Sequence, residues 1–409
     1  MLGKIHRHQA LCCLQLSLFY CALHKVMTDD PAIRNKEMAE AFSRANKGFM
    51  LSLLKKFPSE SNIFYSPFSI STALAMIHLG SGSQTLTEMK KALHFNEMDK
   101  DVYAAFNMYL EFLSKDIENN TLKTSNRIFL SMTSSAEESF LQNCIKHFNA
   151  TLESMDFSKP ETSTKSIDSW VSQQTEDNLH LHPINDRTLV LINAIYFKGN
   201  WNKKFKTRQT RKMNFWNGTA NFMTEIMYQK DYFKFCHVSN LNFDLLELPF
   251  EGEFFSMLIL LPTAKHNLEA VEKELTENIL KNAIYNLRKQ KVEVYLPKFR
   301  IESAFWLKSI LSSLGMVSAF QNKADFSNMF KNTNVKMGVS LHRAFVNVDE
   351  EGTEAASITG VVATLISVQN TPKFQADRPF LFFICDTVND VILFTGRFYC
   401  PVRVKGNSN

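Results

Sequence analysis

The sequence lacks the short motifs that mark the common enzyme classes. It contains no G-x-S-x-G, H-E-x-x-H, G-x-x-x-x-G-K or G-x-G-x-x-G pattern. Its eleven histidines and many serines could form a catalytic triad only if the fold happened to bring them together, because no local spacing joins them. The sequence therefore predicts a protein that is not an enzyme and that uses no cofactor.

Paired cysteines are missing as well. The seven cysteines are an odd number, and no two of them have C-x-x-C spacing. A disulfide framework needs cysteine pairs and a zinc site needs closely spaced ligands, so we expect neither, and no metal site of any kind. Cys144, Cys236 and Cys385 are predicted to be buried free thiols.

An excess of one charge and long apolar runs are also absent. The 46 basic and 41 acidic residues leave a net charge of +5, which does not indicate a nucleic-acid partner. The apolar run from Ala10 to Leu23 is too short to cross a bilayer and predicts no membrane partner, but it suits the core of a signal peptide. We expect residues 1–39 to be an N-terminal extension carrying that signal and the protein to be extracellular, with a cytoplasmic chain starting at Met38 as the alternative. Sequons that would permit glycosylation occur at Asn119, Asn149 and Asn217.

Apolar residues are plentiful, at 45% of the chain with 35 Phe, enough for a large core. Ser66 before Pro67 predicts a helix start, and Thr85 with Glu88 has capping-box spacing. The run from Leu189 to Phe197 is typical of a strand buried on both faces. Helices come first and strands mixed with helices follow, which favours an α+β fold.

No repeat or long linker interrupts the middle of the chain. We therefore expect one domain over residues 40–402, followed by a short C-terminal tail at 403–409.

The stretch from Glu350 to Pro379 combines small residues in its first half with β-branched residues in its second. Such a segment can lie open on a surface and can also become a strand. Side chains alternate between the two faces of a strand. One face would carry small residues, namely Thr353, Ala355, Ser357 and Thr359. The other face would carry Glu354, Ala356 and Ile358.

Several separated segments resemble, in order, the signature segments of the serpin family. They span about 360 residues, and the resemblance is closest to the ovalbumin-like branch in the Asp377–Ile384 run. The matching segments are Asn62–Ile70, Asn193–Trp201, Leu248–Phe250, Leu296–Phe299, His342–Phe345, Asp377–Phe380 and Phe394–Arg397. The resemblance implies a central mixed β-sheet plus two smaller sheets, about nine surrounding helices and an exposed reactive-centre loop at residues 350–376.

The resemblance also implies an activity, that of a monomeric inhibitor of serine proteases which acts once as a suicide substrate. A target protease would cleave the loop and form a covalent acyl complex. The cleaved loop would then insert into the central sheet, in the way that serpin loops are known to add a strand and release strain. No cofactor is implied.

By the family's spacing from Glu350, the reactive bond lies between Ile366 and Ser367, with Leu365–Ile366 as the neighbouring alternative. No Lys or Arg occurs between Glu354 and Lys373, so a trypsin-like target would lack its anchor. An aliphatic residue at the bond favours elastase-like or chymotrypsin-like targets.

The resemblance assigns two further groups of residues. The hinge of the loop would comprise Glu350, Gly352, Thr353, Glu354, Ala355, Ala356, Ser357 and Thr359. The places where the sheet opens, known as the breach and the shutter, would comprise Trp201, Lys298, His342, Ser66 and Asn193. Trp201 would cover the strand's entry point, Lys298 would pair with Glu350, and Asn193 and His342 would hold the central strands together. The chain departs from the family pattern at Asn347, Ser357 and Ile358.

Two alternatives remain at this point. Papain-like cysteine proteases also form acyl intermediates, so an inhibitor of that class would use the same trap. A non-inhibitory carrier or chaperone would keep the fold, but its hinge would carry bulky or charged residues at the inward positions, in contrast to this chain.

Overall fold

A computed structural model describes residues 31–98, 101–114, 120–132, 135–150, 152–175, 188–264, 267–331, 335–352 and 371–401. The α-helices are α1 (Pro31–Leu54), α2 (Pro67–Leu79), α3 (Ser83–Ala92), α4 (Val102–Leu113), α5 (Glu138–Phe148), α6 (Pro160–Thr175), α7 (Leu268–Glu274), α8 (Glu277–Tyr285) and α9 (Leu307–Ser313). The strands are β1 (Ile63–Tyr65), β2 (Asn120–Ser131), β3 (Leu152–Met155), β4 (Thr188–Gly199), β5 (Arg211–Trp216), β6 (Asn221–Val238), β7 (Phe243–Pro249), β8 (Phe255–Pro262), β9 (Arg288–Pro297), β10 (Phe299–Trp306), β11 (Lys336–Val348), β12 (Lys373–Gln375), β13 (Phe380–Asp386) and β14 (Val391–Phe398).

A five-stranded mixed sheet of order β10-β11-β4-β2-β3 forms the centre of the fold. Its two middle strands, β11 and β4, run parallel, with Lys336 opposite Thr188 at one end and Phe345 opposite Tyr196 at the other. The outer neighbours β10 and β2 are antiparallel to them. A parallel pair inside an otherwise antiparallel neighbourhood leaves a position where one more antiparallel strand could pair with both sides.

The remaining strands form one continuous nine-stranded set in which the two smaller sheets are joined. The join is β6, an 18-residue strand. Its middle pairs with β9 and its last residues pair with β7, so one long strand belongs to both. Short β12 pairs in parallel with β9 at the edge of this set. The α+β fold with a mixed central sheet and surrounding helices is confirmed.

The core lies between the central sheet and the second set of strands, and α2 lies within it. Every residue of α2 from Pro67 to His78 is buried. As predicted, Ser66 caps this helix, accepting a hydrogen bond from the backbone N–H of Ser69 at 3.0 Å, and Pro67 fills the first helical position. The helix therefore packs its buried side chains against β4 and β14.

The prediction that three cysteines are buried free thiols is confirmed. Cys144, Cys236 and Cys385 are buried and free. Burial raises the pKa of the Cys144 thiol to about 12 and that of Cys236 to about 11, so neither is a reactive thiolate at neutral pH.

The predicted capping box at Thr85 and Glu88 is wrong. The N-cap of helix α3 is Gly82, three residues before Thr85. The Thr85 hydroxyl accepts a hydrogen bond from the Asp325 N–H at 3.0 Å, and Glu88 accepts two from the backbone of Val317 and Ser318. Both side chains therefore accept hydrogen bonds from residues far along the chain instead of from their own helix.

The sequons lie in different settings. Asn119 is outside the described residues, and Asn149 is the left-handed residue that ends α5. The Asn217 side-chain oxygen accepts hydrogen bonds from Thr219 and Ala220 in the turn between β5 and β6. In the described part of the chain, no helix is both long and apolar enough to cross a bilayer.

Candidate functional site

The central strand β11 ends in a tight turn from Asp349 to Gly352. The Asp349 N–H donates to the Gly352 carbonyl at 3.1 Å, and the Gly352 N–H donates back at 3.3 Å. Gly352 has φ +129°, and a Cβ there would lie 2.4 Å from the Gly199 carbonyl oxygen. Glycine is therefore required both by conformation and by space.

After this turn, the chain already lies beside the end of β4. Gly352 forms an isolated antiparallel bridge with Asn200, one residue past the end of β4. The reversal therefore brings Gly352 back to the end of the parallel pair of β11 and β4.

Two ion pairs hold the turn. The Lys298 ammonium lies 3.0 Å from Glu350, as predicted, and the Thr210 hydroxyl donates to the same carboxylate at 2.7 Å. Burial alone would raise the pKa of Glu350, but these two hydrogen bonds outweigh it and the pKa is lowered. The Glu350 side chain is 8% exposed and that of Lys298 is 32% exposed, so the carboxylate is largely shielded from water while the ammonium is partly solvated.

The second pair was missed by sequence reasoning. The Lys204 ammonium lies 2.9 Å from Glu351 and 4.0 Å from Glu251. The three residues are far apart in sequence, and nothing in local spacing relates them. An acidic doublet at Glu350–Glu351 was the one available hint, since both members of such a doublet need partners when the backbone is held in place.

Trp201 covers the turn, as predicted. Its indole N–H donates to the Asp349 carbonyl at 2.9 Å, and its ring stacks on Phe250 with the centroids 4.7 Å apart. The Trp201 backbone N–H donates to the Glu351 carbonyl at 2.8 Å. This side chain, 1% exposed, closes the end of the β11–β4 pair.

Midway along the same pair, a buried polar network joins the two strands to α2. The His342 Nε2 accepts a hydrogen bond from the Ser66 backbone N–H at 3.0 Å. Its Nδ1 therefore carries the proton, and it donates to the Asn193 side-chain oxygen. The Asn193 amide nitrogen donates to the Ser69 carbonyl at 3.0 Å. The structure thus brings together three of the predicted shutter residues.

His342 is neutral in this network. Burial lowers its pKa to about 3, because a charged imidazolium would lose its hydration with no carboxylate beside it. Both ring nitrogens are used as hydrogen-bonding groups of a neutral ring. The network therefore holds β11 to β4 without a buried charge.

Comparison with known proteins agrees with this geometry. A family model described as "Serpin (serine protease inhibitor)" matches residues 44–401. The chain belongs to the serpin family. It is 38% identical to Serpin B8 of Bos taurus and 39% identical to Serpin B9 of Homo sapiens, each match covering 88% of this chain and 100% of the relative. It is 37% identical, with the same coverage, to a leukocyte elastase inhibitor of Xenopus laevis.

Solved structures of other serpins have the same fold. Human thyroxine-binding globulin complexed with thyroxine superposes with a TM-score of 0.81 at 27% identity, covering 89% of this chain and 100% of that one. Uncleaved ovalbumin superposes with a TM-score of 0.78 at 27% identity, covering 88% and 100%. The family model describes serpins as serine protease inhibitors, and relatives of the ovalbumin-like branch are generally intracellular.

The predicted hinge of this serpin is partly described. Glu350 and Gly352 lie in the turn, whereas Thr353 to Thr359 lie outside the described residues, as do Leu365, Ile366 and Ser367. The chain is described again from Thr371, just before Lys373 pairs with Glu293 of β9. Both ends of the reactive-centre loop are therefore placed, and both lie beside the same end of the molecule.

Proposed function

We propose that this serpin inhibits elastase-like or chymotrypsin-like serine proteases as a suicide substrate. The observation that carries the proposal is the parallel β11–β4 pair, with the Gly352 turn directing the loop toward it. A cleaved loop would enter between the two strands and become antiparallel to both. The target would remain attached through its acyl bond and be displaced with the loop.

Register supports this insertion. Continuing the Asn200–Gly352 pairing antiparallel along β4 brings Thr359 opposite Asn193. Continuing the Asp349–Gly352 pairing along β11 brings Thr359 opposite His342. His342 and Asn193 already face each other across the pair, so the two independent extrapolations agree on a single position for the incoming strand.

Side-chain size supports it as well. Residues opposite one another share a face, so the side chains of Thr353, Ala355, Ser357 and Thr359 would join the buried face that carries His342. That face already holds Val346 and Ala344, which are 2% and 5% exposed. Small inward side chains can enter such a packed layer, whereas large or charged ones would not.

The reactive bond is proposed between Ile366 and Ser367, with Leu365–Ile366 as the alternative. An aliphatic residue in the protease's primary pocket suits elastase-like enzymes, and leucine suits chymotrypsin-like ones. No basic residue lies between Glu354 and Lys373, which disfavours trypsin-like targets.

Two other functions are kept as alternatives. A papain-like cysteine protease would also form an acyl intermediate that insertion could trap, and the alternative is tested alongside. A carrier function has a precedent in the thyroxine-binding relative, but the small inward hinge residues of this chain favour insertion.

We make two further proposals, on the cellular location and the oligomeric state of the protein. Relatives of this branch are generally intracellular, which favours the cytoplasmic alternative over secretion. Secretion would depend on residues 1–39, which we propose as an extension outside the domain at 40–402. Tagging the chain at its C-terminus and comparing cell lysate with medium distinguishes the two locations. We further propose that the inhibitor acts as a monomer.

The test is a trapping assay. The pure protein is incubated separately with chymotrypsin, pancreatic elastase and papain, and the mixtures are run on a denaturing gel. We expect a complex that survives denaturation with at least one of the two serine proteases. Cleavage of the loop without any stable complex would refute the inhibitory function and favour the carrier alternative. A complex with papain alone would move the target class to cysteine proteases.

A further inference from the structure

Positive charge is concentrated at the end of the molecule that bears the reactive-centre loop. The segment from Lys203 to Lys212, which leads from β4 into β5, contains six basic residues and no acidic one. Its first two lysines are used internally, Lys203 with Asp231 at 2.5 Å and Lys204 with Glu351 at 2.9 Å. The basic residues that follow them are Lys206, Arg208, Arg211 and Lys212.

Lys206 and Arg208 are exposed, and neither makes an ion pair with any carboxylate of the described residues. Their segment is anchored to the start of the loop at two points. The Phe205 N–H donates to the Glu350 carbonyl at 2.9 Å, and the Thr210 hydroxyl donates to the Glu350 carboxylate at 2.7 Å. Both cations are therefore held on a fixed bend around the residue from which the loop departs.

Next to this bend lies a surface depression of about 330 Å³ on β5, β6 and β9. It is lined by Gln209, Arg211, Met213, Ile226, Tyr228 and Tyr295. The two tyrosine rings lie 4.8 Å apart. The Lys373 ammonium lies 4.7 Å from the centroid of the Tyr295 ring, and Lys373 is where the chain returns from the loop. The depression thus lies between the two ends of the loop.

Nearby carboxylates already have partners. Glu293 accepts from Lys230 at 2.7 Å, and the Lys298 ammonium lies 3.0 Å from Glu350 and 3.8 Å from Glu225, which also lies opposite Lys212 across the β5–β6 pair. Their charges are therefore largely compensated. Lys206, Arg208 and Arg211 then leave the surface beside the loop with an uncompensated positive potential.

We propose that Lys206, Arg208 and Arg211, together with the depression beside them, form an exosite for the target protease. The exosite would receive an acidic patch of the protease and an apolar or aromatic side chain next to it. This inference rests on the proposed inhibitory function, because a protease that attacks the loop must stand over this end of the molecule. The apolar and aromatic floor suits a protein side chain and offers little to a sulfated polysaccharide, which makes a protease the better occupant.

The expected effect is on the rate of encounter. Complementary charge around a binding site raises association rates by roughly 10- to 1,000-fold at low salt, and the gain falls with ionic strength. Insertion of the cleaved loop would be unaffected, since β11, β4 and the hinge are not altered. The number of inhibitor molecules consumed per protease should therefore stay the same while the rate changes.

The experiment uses whichever of chymotrypsin and pancreatic elastase forms the stable complex. A form of that enzyme with two surface glutamates introduced beside its cleft serves as the acidic probe. The inhibitor variant is the double substitution Lys206→Glu and Arg208→Glu. The matched control is Lys55→Glu and Lys56→Glu, two exposed lysines just after α1 that border neither the depression nor the described ends of the loop. Melting temperatures verify that each variant is folded.

We expect the wild-type protein to inhibit the acidic probe at least about 10-fold faster than the unmodified enzyme at low salt. The Lys206–Arg208 variant should lose that preference, and the control should keep it. A Tyr228→Ala variant should inhibit both forms of the protease more slowly than wild type. This loss of rate should be smaller than the one that the Lys206–Arg208 variant shows with the acidic probe.

Three results would overturn the inference. One is an unchanged preference for the acidic probe in the Lys206–Arg208 variant. Another is an acceleration by heparin that depends on Lys206 and Arg208 and is indifferent to protease charge, which would make the surface a polyanion site. The third is the absence of a stable complex with either serine protease, which would remove the proposed function and the exosite with it. Stable complexes with unaltered rates would refute the exosite alone.

Discussion

Cleaving the reactive-centre loop without trapping a target should greatly stabilise this serpin. The perturbation is a single nick between Gly360 and Ile366 by a protease that is not inhibited. The freed segment from Thr353 onward could then enter between β11 and β4. Its backbone N–H and C=O groups would pair on both sides, where a single parallel ladder exists now.

The size of the effect can be worked out from the register. The parallel ladder extends from the Lys336–Thr188 pair to the Phe345–Tyr196 pair, and it would be replaced by two antiparallel ladders of similar length. The net gain is one ladder, about ten hydrogen bonds, each contributing roughly 0.5–1.5 kcal/mol. The sum is on the order of 10 kcal/mol, comparable with the whole stability of an ordinary domain. For a chain of this size, such a gain corresponds to a rise in melting temperature of roughly 10–20 °C.

The assay compares thermal melts of intact and nicked protein, with cleavage verified by mass spectrometry. A Thr353→Arg variant nicked in the same way is the control, because an arginine at that position would have to be buried without a partner. We expect the large rise in wild type and little rise in the variant. An unchanged melting temperature in fully nicked wild type would refute insertion and favour the carrier alternative.

Three further predictions concern single residues. Thr353→Arg should turn the inhibitor into a substrate, since burying an unpaired charge costs several kcal/mol and slows insertion; complex formation on a denaturing gel at the wild-type ratio would contradict this. Ile366→Arg should gain trypsin as a target, and the peptide released from wild type should begin at Ser367, as read by mass spectrometry; a peptide beginning at Ile366 would move the bond to the neighbouring position. The pKa of His342 is about 3 in the folded protein and about 6.5 in the unfolded chain. The neutral ring therefore makes its full contribution to the stability of the folded state above pH 6.5. That contribution is lost as the pH falls from 6.5 toward 3, because the unfolded chain then binds a proton that the folded protein does not. Urea unfolding at pH 7 and pH 5 should therefore show wild type losing roughly 1–2 kcal/mol more than His342→Gln, and equal losses would show that His342 is not the group responsible.

Local patterns were enough to predict elements whose cause is local. The buried strand β4 follows from a nearly continuous apolar run, and the start of α2 follows from Ser66 and Pro67. Where distant partners compete for the same side chain, the local pattern failed. Glu88 satisfies amides of residues 317 and 318 rather than capping its own helix. The apolar spacing of residues 304–314 predicts a helix from Ala304, but α9 begins at Leu307, because the preceding residues pair with β11 as part of β10.

The candidate site shows the same division. The pair of Lys298 with Glu350 and the network around His342 were reached through the family resemblance, and composition alone would not have related them. The pair of Lys204 with Glu351 had no such guide, because it depends on how the segment after β4 crosses the end of β11. Which of several nearby carboxylates a lysine meets is decided by tertiary packing.

The positions of the two loop ends explain why cleavage must come before insertion. As a strand between β11 and β4, the segment from Thr353 to Thr364 would extend about 40 Å away from the hinge. In the intact chain, the residues from Leu365 to Pro372 would have to return from there to Lys373, yet the nine steps from Thr364 to Lys373 reach at most about 32 Å when fully extended. Lys373 is fixed by its pairing with Glu293, near the same end as the hinge. Complete insertion is therefore geometrically blocked in the intact chain, and cutting the proposed bond after Ile366 would remove the tether. The stored stability is thereby coupled to the protease's own reaction, since the acyl bond is formed at the moment the loop becomes free to move.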